Sequence, residues 1–178
     1  MEAADEELML AYRDGDAAAF DSLYRRHRAP LFRFVLRGVK ERAVAEELYQ
    51  EIWIRVIEAR SRYSPQARFT TWLYTIAHHR LVDHWRKRGL SLVSLEEGES
   101  IPDASHDPAG SYESRRGLER FLDALEALPP AQREAFLLHE EAGLGIAEIA
   151  AATGASEEAA KSRLRYAIAK LKAALTDG

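Results

Sequence analysis

IAEIAAATGASEEAAKSRLRYAIAKLKAAL, residues 146–175, is the stretch that decides the fold of this chain. Apolar residues at helical spacing predict a short helix at its start, and that helix ends at Gly154. Glycine tolerates the left-handed backbone conformation of a tight turn. Ser156 then suits the N-cap of a second helix, and the two glutamates after it suit that helix's positive end. A short helix, a glycine turn and a longer helix together predict a helix-turn-helix.

The second helix of this motif has an apolar stripe and a basic face that do not coincide. Four apolar residues recur at spacings of four, three and four from Leu164, which predicts burial. Lys161, Ser162 and Arg165 lie off that stripe, and such side chains suit phosphates and base edges in the major groove of DNA. The same pattern also fits two helices packed only for stability with a solvated basic face, so the motif alone leaves both interpretations open.

Most of the remaining chain is predicted to be helical as well. Two further helices precede the motif, in LERFLDALEAL (118–128) and PPAQREAFLLHEEAG (129–143). Closer to the N-terminus, residues 43–60 carry apolar side chains at strict i+4 spacing from Val44, opposite a polar face, and residues 68–87 carry a second apolar stripe. No segment shows the alternation of apolar and polar residues that is typical of a β-strand, which indicates an all-α protein.

Glycine and proline positions predict where the N-terminal helices begin and end. Gly15 indicates a break between two helices, and Ser64-Pro65 indicates a loop within residues 61–68. Pro30 suits the first turn of a helix, and Gly38 suits the end of one.

Residues 89–116 differ in character from everything around them. Glycine, serine, proline and acidic residues dominate, and six acidic residues occur between Ser91 and Glu113 without a lysine or arginine. Loops of this length are uncommon inside one compact domain. We therefore predict an all-α protein of two small helical domains, 1–88 and 117–178, joined by a flexible acidic linker, with the helix-turn-helix in the second domain.

Composition excludes several classes of protein. With 47% hydrophobic and 30% charged residues, the chain has the profile of a soluble globular protein. It has no cysteine, which excludes disulfides, thiolate metal sites and cysteine nucleophiles. No apolar run is long enough to span a membrane, and the acidic N-terminus does not look like a signal peptide, so we expect a cytoplasmic protein without membrane contact of its own.

The histidines near the end of the first domain raise the question of a metal site. His79 and Asp83 share a helical face, and His84 follows, but a metal enzyme would need further ligands converging on them. The other histidines are scattered along the chain, and no HExxH motif occurs. We expect no metal, no cofactor and no catalytic site, and we expect Asp83 to pair with Arg86, Lys87 or Arg80.

Three blocks, in this order and spacing, resemble the bacterial extracytoplasmic-function sigma factors. They are EELYQEIWIRVIEAR (46–60), RFTTWLYTIAHHRLVDHWRKR (68–88) and the long stretch from LEALPP to KLK (125–172). The resemblance implies a dissociable specificity subunit of RNA polymerase. Its first domain would bind the polymerase clamp and melt the minus-ten element, and its second would read the minus-thirty-five element and bind the flap. Members of this family often have an anti-sigma factor that binds them. The resemblance therefore also implies an anti-sigma factor as a partner of this chain.

The resemblance also assigns residues to three sets. The core-binding set is Glu46, Glu47, Gln50 and Glu51. The minus-ten set is Tyr63, Ser64, Gln66, Arg68, His79, Arg80, Arg86, Lys87 and Arg88. The minus-thirty-five set is Ser156, Glu158, Lys161, Ser162 and Arg165. In the minus-ten set Tyr63 is expected to stack on an unpaired base, an interaction worth roughly 1–3 kcal/mol per base.

This chain departs from the family pattern at two places in the minus-ten region. His78-His79 stands where the family usually has Arg-Asn, and the loop reads Ser64-Pro65-Gln66 where Gly-Asp is usual. These changes bear on the sequence of the minus-ten element and leave the mechanism implied by the resemblance intact.

A stand-alone helix-turn-helix regulator is the alternative function. Such a protein would bind duplex DNA by itself, usually as a dimer on a palindrome. The sequence shows no dimerisation helix and no effector pocket, and a gel shift with and without core polymerase separates the two functions.

Neutralising the linker's acids is expected to raise promoter binding by the free protein. Acidic side chains tethered between two basic surfaces compete with phosphate, and they repel DNA within a Debye length, roughly 8 Å at physiological salt. The variant replaces Glu96, Glu97, Glu99, Asp103 and Asp107 with their amides. A gel shift at low salt measures the effect, and residues 117–178 alone should also bind better than the full chain. Unchanged binding in both comparisons would contradict linker masking.

Overall fold

A computed structural model describes residues 1–90 and 115–176, and all regular secondary structure in those two ranges is helical. The first range forms α1 (Asp5–Arg13), α2 (Ala17–Val39), α3 (Arg42–Ala59), a 3₁₀ turn (Arg60–Arg62) and α4 (Phe69–Lys87). The second forms α5 (Arg115–Ala127), α6 (Pro130–Glu140), α7 (Ile146–Thr153) and α8 (Glu157–Thr176). The predicted all-α architecture is confirmed for the described ranges.

The first domain is held together by a core of large side chains between α2, α3 and α4. Phe34 of α2 meets Tyr74 of α4 edge to face, with ring centroids 5.2 Å apart. Trp85, near the end of α4, is buried, and its Nε1 donates a hydrogen bond of 3.1 Å to the Gly38 carbonyl. Because burying each such side chain stabilises the fold by about 1.5–3 kcal/mol, this core fixes the faces that α3 and α4 leave exposed.

The prediction that Pro30 lies in the first turn of a helix is wrong, because α2 runs through it, whereas Gly38 does lie at the end of that helix. The helix continues to Val39, and it is Lys40 that takes the positive φ of 71° at its end. Buried residues on both sides of Pro30 keep the helix in place despite the missing amide hydrogen. A Cβ at Gly38 would lie 3.4 Å from a methyl group of Leu81, an ordinary van der Waals contact, so the approach of α4 does not itself require a glycine there.

The second domain contains the predicted helix-turn-helix. Gly154 ends α7 in the left-handed conformation, with a φ of 72°. The Ser156 hydroxyl accepts a hydrogen bond of 3.0 Å from the Ala159 amide, so the predicted N-cap is confirmed. Helix α5 begins at Arg115, two residues before the predicted domain boundary. Most of the predicted linker, including its five acids chosen for neutralisation, lies outside the described residues.

The two domains contact each other directly. Helix α6 packs on α2, and α7, the first helix of the helix-turn-helix, packs on α4. Arg133 of α6 is buried at this contact and donates a hydrogen bond of 3.1 Å to the same Gly38 carbonyl that accepts from Trp85. Arg133 also donates to the carbonyls of Leu125, Glu126 and Leu128 in its own domain.

Candidate functional site

The core-binding set lies on α3, opposite the apolar stripe that packs against the rest of the first domain. Leu48, Ile52 and Val56 are buried, whereas Glu47 and Gln50 are exposed. Within the described ranges the structure gives Glu47 and Gln50 no side-chain hydrogen bond or ion pair. Their side chains are therefore available to a partner without breaking an internal contact.

The other two members of the core-binding set take part in internal ion pairs. Glu46 pairs with Arg42 one turn earlier on the same helix, at 3.2 Å. Glu51 pairs with Arg80 of α4 and so links the helix of the core-binding set to a helix of the minus-ten set. The first pair is exposed and contributes little to stability. The second is partly buried and joins α3 to α4 beside the apolar core that packs the two helices together.

Sequence reasoning missed Ile54 as a member of this surface. Its side chain is 52% exposed and follows Glu47 and Gln50 at spacings of seven and four residues, which places all three on one helical face. An exposed isoleucine amid polar neighbours is the kind of apolar side chain that a protein interface buries. The signal was in the sequence, since Ile54 falls off the i+4 stripe that starts at Val44.

Helix α4 supports most of the minus-ten set. Arg80 donates to Asp83 at 3.2 Å, which confirms that Asp83 pairs with a basic neighbour. Since Arg80 also pairs with Glu51, its guanidinium is largely engaged within the first domain. Arg86 and Lys87 are exposed at the C-terminal end of the helix. Arg88 is exposed as well and lies 3.4 Å from a Glu41 carboxylate oxygen. These three cations form a basic edge that could meet phosphates.

Tyr63 is not available for stacking in this arrangement. Its side chain is 2% exposed, and its ring lies edge-on to Trp72 with centroids 5.1 Å apart. Burial and the nearby carboxylates of Glu6 and Asp5 raise the pKa of its phenol. Stacking on a base would require Tyr63 to leave this cluster, so that role stays a prediction that needs a movement.

His79 lies instead at a separate hollow between α3 and α4. The hollow has a volume of about 280 Å³, and its other walls include Arg55, Glu58, Arg62 and Ile76. His79 is exposed, as are Ser64, Gln66 and Arg68 in the preceding loop. Two arginines and a histidine around one hollow supply hydrogen-bond donors to a base or a phosphate. Sequence reasoning missed both arginines because they precede the helix that carries the motif.

The minus-thirty-five set occupies the first turns of α8. Ser156, Glu158, Lys161 and Arg165 are exposed, and Ser162 is half-buried. Leu164 and Leu171 are buried on the other side of the helix, as predicted. The Arg165 guanidinium lies 5.6 Å from the centroid of the Tyr166 ring, a distance at which the ring attracts the cation. The geometry is that of a helix able to enter a major groove with its N-terminal half.

The described residues contain no group of three histidine, cysteine or acidic side chains that could hold a metal ion. Burial and the neighbouring Arg88 lower the pKa of His84, so its imidazole is less basic than usual.

None of the helices in the described ranges combines the length and the apolar character needed to cross a bilayer.

Comparisons with known proteins match each domain to one family. The Sigma-70 region 2 family matches residues 23–90, and the Sigma-70 region 4 family matches residues 118–171. The chain is similar to RNA polymerase sigma factor CarQ of Myxococcus xanthus, with 38% identity over 92% of this chain and 93% of that protein. It is also similar to ECF RNA polymerase sigma factor RpoE of Cereibacter sphaeroides, with 33% identity over 93% of this chain and 91% of that protein.

Solved structures give the same result at the level of the fold. The structure of the sigma factor RpoE in complex with the anti-sigma factor NepR from Bartonella quintana covers 89% of this chain and 98% of its own, with 26% identity and a TM-score of 0.69. The structure of CnrH in complex with the cytosolic domain of CnrY covers 99% of this chain, with 24% identity and a TM-score of 0.72, and is similar in fold.

Proposed function

Since the chain belongs to the ECF family of RNA polymerase sigma factors, we propose that it binds core polymerase through α3 and directs promoter-specific initiation through α4 and α8. The protein is an alternative sigma factor. The polymerase supplies the chemistry of RNA synthesis, and this chain supplies recognition, so it acts in the cytoplasm as an initiation factor and not as an enzyme.

One observation supports the assignment of α3 to the polymerase. Its exposed face holds Glu47, Gln50 and Ile54, and the side chains of Glu47 and Gln50 make no hydrogen bond or ion pair within the described ranges. A face that is free of internal pairs and carries an exposed isoleucine suits a stable protein partner better than it suits water. Residues 1–88 would form the polymerase-binding and minus-ten domain, 117–178 the minus-thirty-five domain, and 89–116 the linker between them.

The DNA-facing roles divide between the two domains. The basic edge at the end of α4 and the hollow beside His79 would hold the single strand of the melted minus-ten element. The exposed N-terminal half of α8 would read the duplex at the minus-thirty-five element. An anti-sigma factor is a further expected partner, because the similar RpoE structure is a complex with one.

Run-off transcription tests the proposed function directly. Core polymerase with this protein is expected to produce discrete transcripts from a genomic promoter library, and core polymerase alone is expected to produce none. Mapping the start sites would yield both promoter elements. Discrete binding to duplex DNA without polymerase, together with no transcripts, would instead support the stand-alone regulator.

A further inference from the structure

Helix α1 is hydrogen-bonded to both ends of residues 63–69, the segment that leads into α4 and that we call the minus-ten loop. At one end, Nη1 of Arg13 donates a hydrogen bond of 3.3 Å to the Tyr63 carbonyl. At the other end, the Phe69 amide donates a hydrogen bond of 3.0 Å to a Glu6 carboxylate oxygen. Neither Glu6 nor Arg13 belongs to any of the three sets assigned from the sequence.

The two contacts come from one face of α1. Glu6 and Arg13 are seven positions apart, which is close to two full turns of an α-helix. Their side chains therefore leave the helix on the same side, about 10 Å apart along its axis. A single short helix can thus hold both ends of the minus-ten loop at a fixed separation.

Glu6 also supplies a cap that α4 lacks. Helix α4 begins at Phe69, and its N-cap residue, Arg68, makes no side-chain capping hydrogen bond. The first amides of a helix have no partner within that helix, so they need an acceptor from elsewhere. The Glu6 carboxylate is such an acceptor, and its negative charge suits the positive end of α4. The point at which the minus-ten loop passes into α4 therefore depends on α1.

A second acid fastens α1 to α2. One carboxylate oxygen of Asp5 accepts a hydrogen bond of 3.0 Å from Nη1 of Arg26, and the other lies 2.9 Å from Nε2 of His27. The hydrogen bond with His27 contributes most to lowering the pKa of Asp5, which keeps its carboxylate charged. The His27 ring lies 5.1 Å from the Phe69 ring, centroid to centroid. Helix α1 is thus itself anchored and can support the loop.

Both contacts with the minus-ten loop are made to main-chain atoms. They fix the backbone at the ends of the loop and leave the side chains of Ser64, Gln66 and Arg68 exposed. A loop whose ends are held loses less conformational freedom when it binds a ligand. It also adapts less readily to a ligand that does not fit, so holding the loop favours discrimination as well as affinity.

We propose that α1 positions the minus-ten loop for recognition of the melted minus-ten element, with Glu6 and Arg13 as its positioning residues. The inference rests on the proposed function and extends it to a helix outside the three sets. Neither side chain has to touch DNA, because each acts through a backbone group of the loop. The loop side chains then determine which bases are preferred, and α1 determines how strictly they are preferred.

The test is the double variant Glu6→Ala/Arg13→Ala in the full chain. Alanine is the best helix former, so α1 should remain helical. The matched control, Glu7→Ala/Arg25→Ala, also removes one acid and one base, from exposed positions of α1 and α2. The conservative variant Glu6→Gln/Arg13→Lys keeps an acceptor and a donor at the two positions and should behave like the unchanged protein.

Hydrogen exchange of the free protein measures the contact itself. The Phe69 amide lies in the first turn of α4, so its protection depends on Glu6. Its exchange should be about fivefold faster in the double variant than in the control, as expected for the loss of a cap. The Ala77 amide, in the middle of α4, should exchange at the same rate in both. Unchanged exchange at Phe69 would overturn the contact on which the inference depends.

Run-off transcription with core polymerase measures recognition. The templates are a mapped promoter and the same promoter with one base of the minus-ten element changed. The ratio of their initial rates should fall about tenfold in the double variant, as for the loss of one base contact, and should stay the same in the control and the conservative variant. A merely destabilised domain would lower both rates together and leave this ratio unchanged. The corresponding ratio for a changed base in the minus-thirty-five element should stay the same in every variant.

The two measurements separate this inference from the proposed function. Faster exchange at Phe69 with an unchanged minus-ten ratio would overturn the positioning role and leave the proposed function intact. An absence of transcripts with the unchanged protein would overturn the proposed function and this inference with it.

Discussion

Glu47→Arg combined with Gln50→Ala is expected to weaken core-polymerase binding by about 100-fold. Both side chains are exposed on the face of α3 opposite Leu48 and Ile52, so the variant removes partner contacts and introduces a repulsive charge. A 100-fold loss corresponds to about 2.7 kcal/mol, which two interface residues that each contribute somewhat more than about 1 kcal/mol would supply. Binding is measured by anisotropy of the labelled protein titrated with core polymerase.

The control for this variant is Asp21→Arg, which makes the same charge reversal at an exposed position near the start of α2. It should bind core polymerase normally. Circular dichroism should show the same helix content and melting temperature for both proteins, because neither change touches the core. If the Glu47/Gln50 variant loses helix content, those residues are structural; if it binds normally, α3 is not the polymerase-binding face.

Arg165→Glu is expected to reduce affinity of the polymerase complex for promoter duplex by roughly 10- to 100-fold. A good contact from arginine to a base contributes about 1–3 kcal/mol, and a glutamate at the same position would also repel phosphate. Arg165 is exposed on α8 beside buried Leu164, so folding of the second domain should be unaffected. Gel shifts of holoenzyme on a mapped promoter measure the loss.

Core-polymerase affinity of the Arg165→Glu variant should stay the same. The control Arg116→Glu makes the same charge reversal at an exposed position of α5 in the same domain and should retain promoter affinity. Equal losses in both variants would mean that the net charge of the domain matters and that the α8 face does not read the element.

Features that depend on neighbours in sequence could be predicted reliably. The Ser156 cap and the Gly154 turn involve residues no more than three positions apart, so the helical pattern is enough to place them. For Asp83 the pattern left Arg86, Lys87 and Arg80 as partners, and the structure shows Arg80. The apolar stripe of α3 was likewise predictable, because its period reveals which face must be buried.

Features that depend on distant residues could not be predicted in this way. The sequence showed that Tyr63 is an aromatic near the minus-ten motif, but its burial depends on Trp72 and on the N-terminal helix. Pro30 sits inside a helix because packing on both sides outweighs its local preference. The His78–Glu134 pair joins residues 56 positions apart, and no pattern within either helix indicates which surface it will meet.

The shared carbonyl of Gly38 determines how easily the two domains can part. When Arg133 withdraws, the carbonyl keeps its bond from Trp85, and Arg133 keeps its bonds to three carbonyls of its own domain. Arg133 Nη1 gives up the Gly38 carbonyl, and water can replace it, so parting at this point exchanges one hydrogen bond for another. The Gly38 carbonyl therefore keeps one protein donor whether or not Arg133 contacts it, so this hydrogen bond between the domains can break and re-form without leaving the carbonyl unpaired.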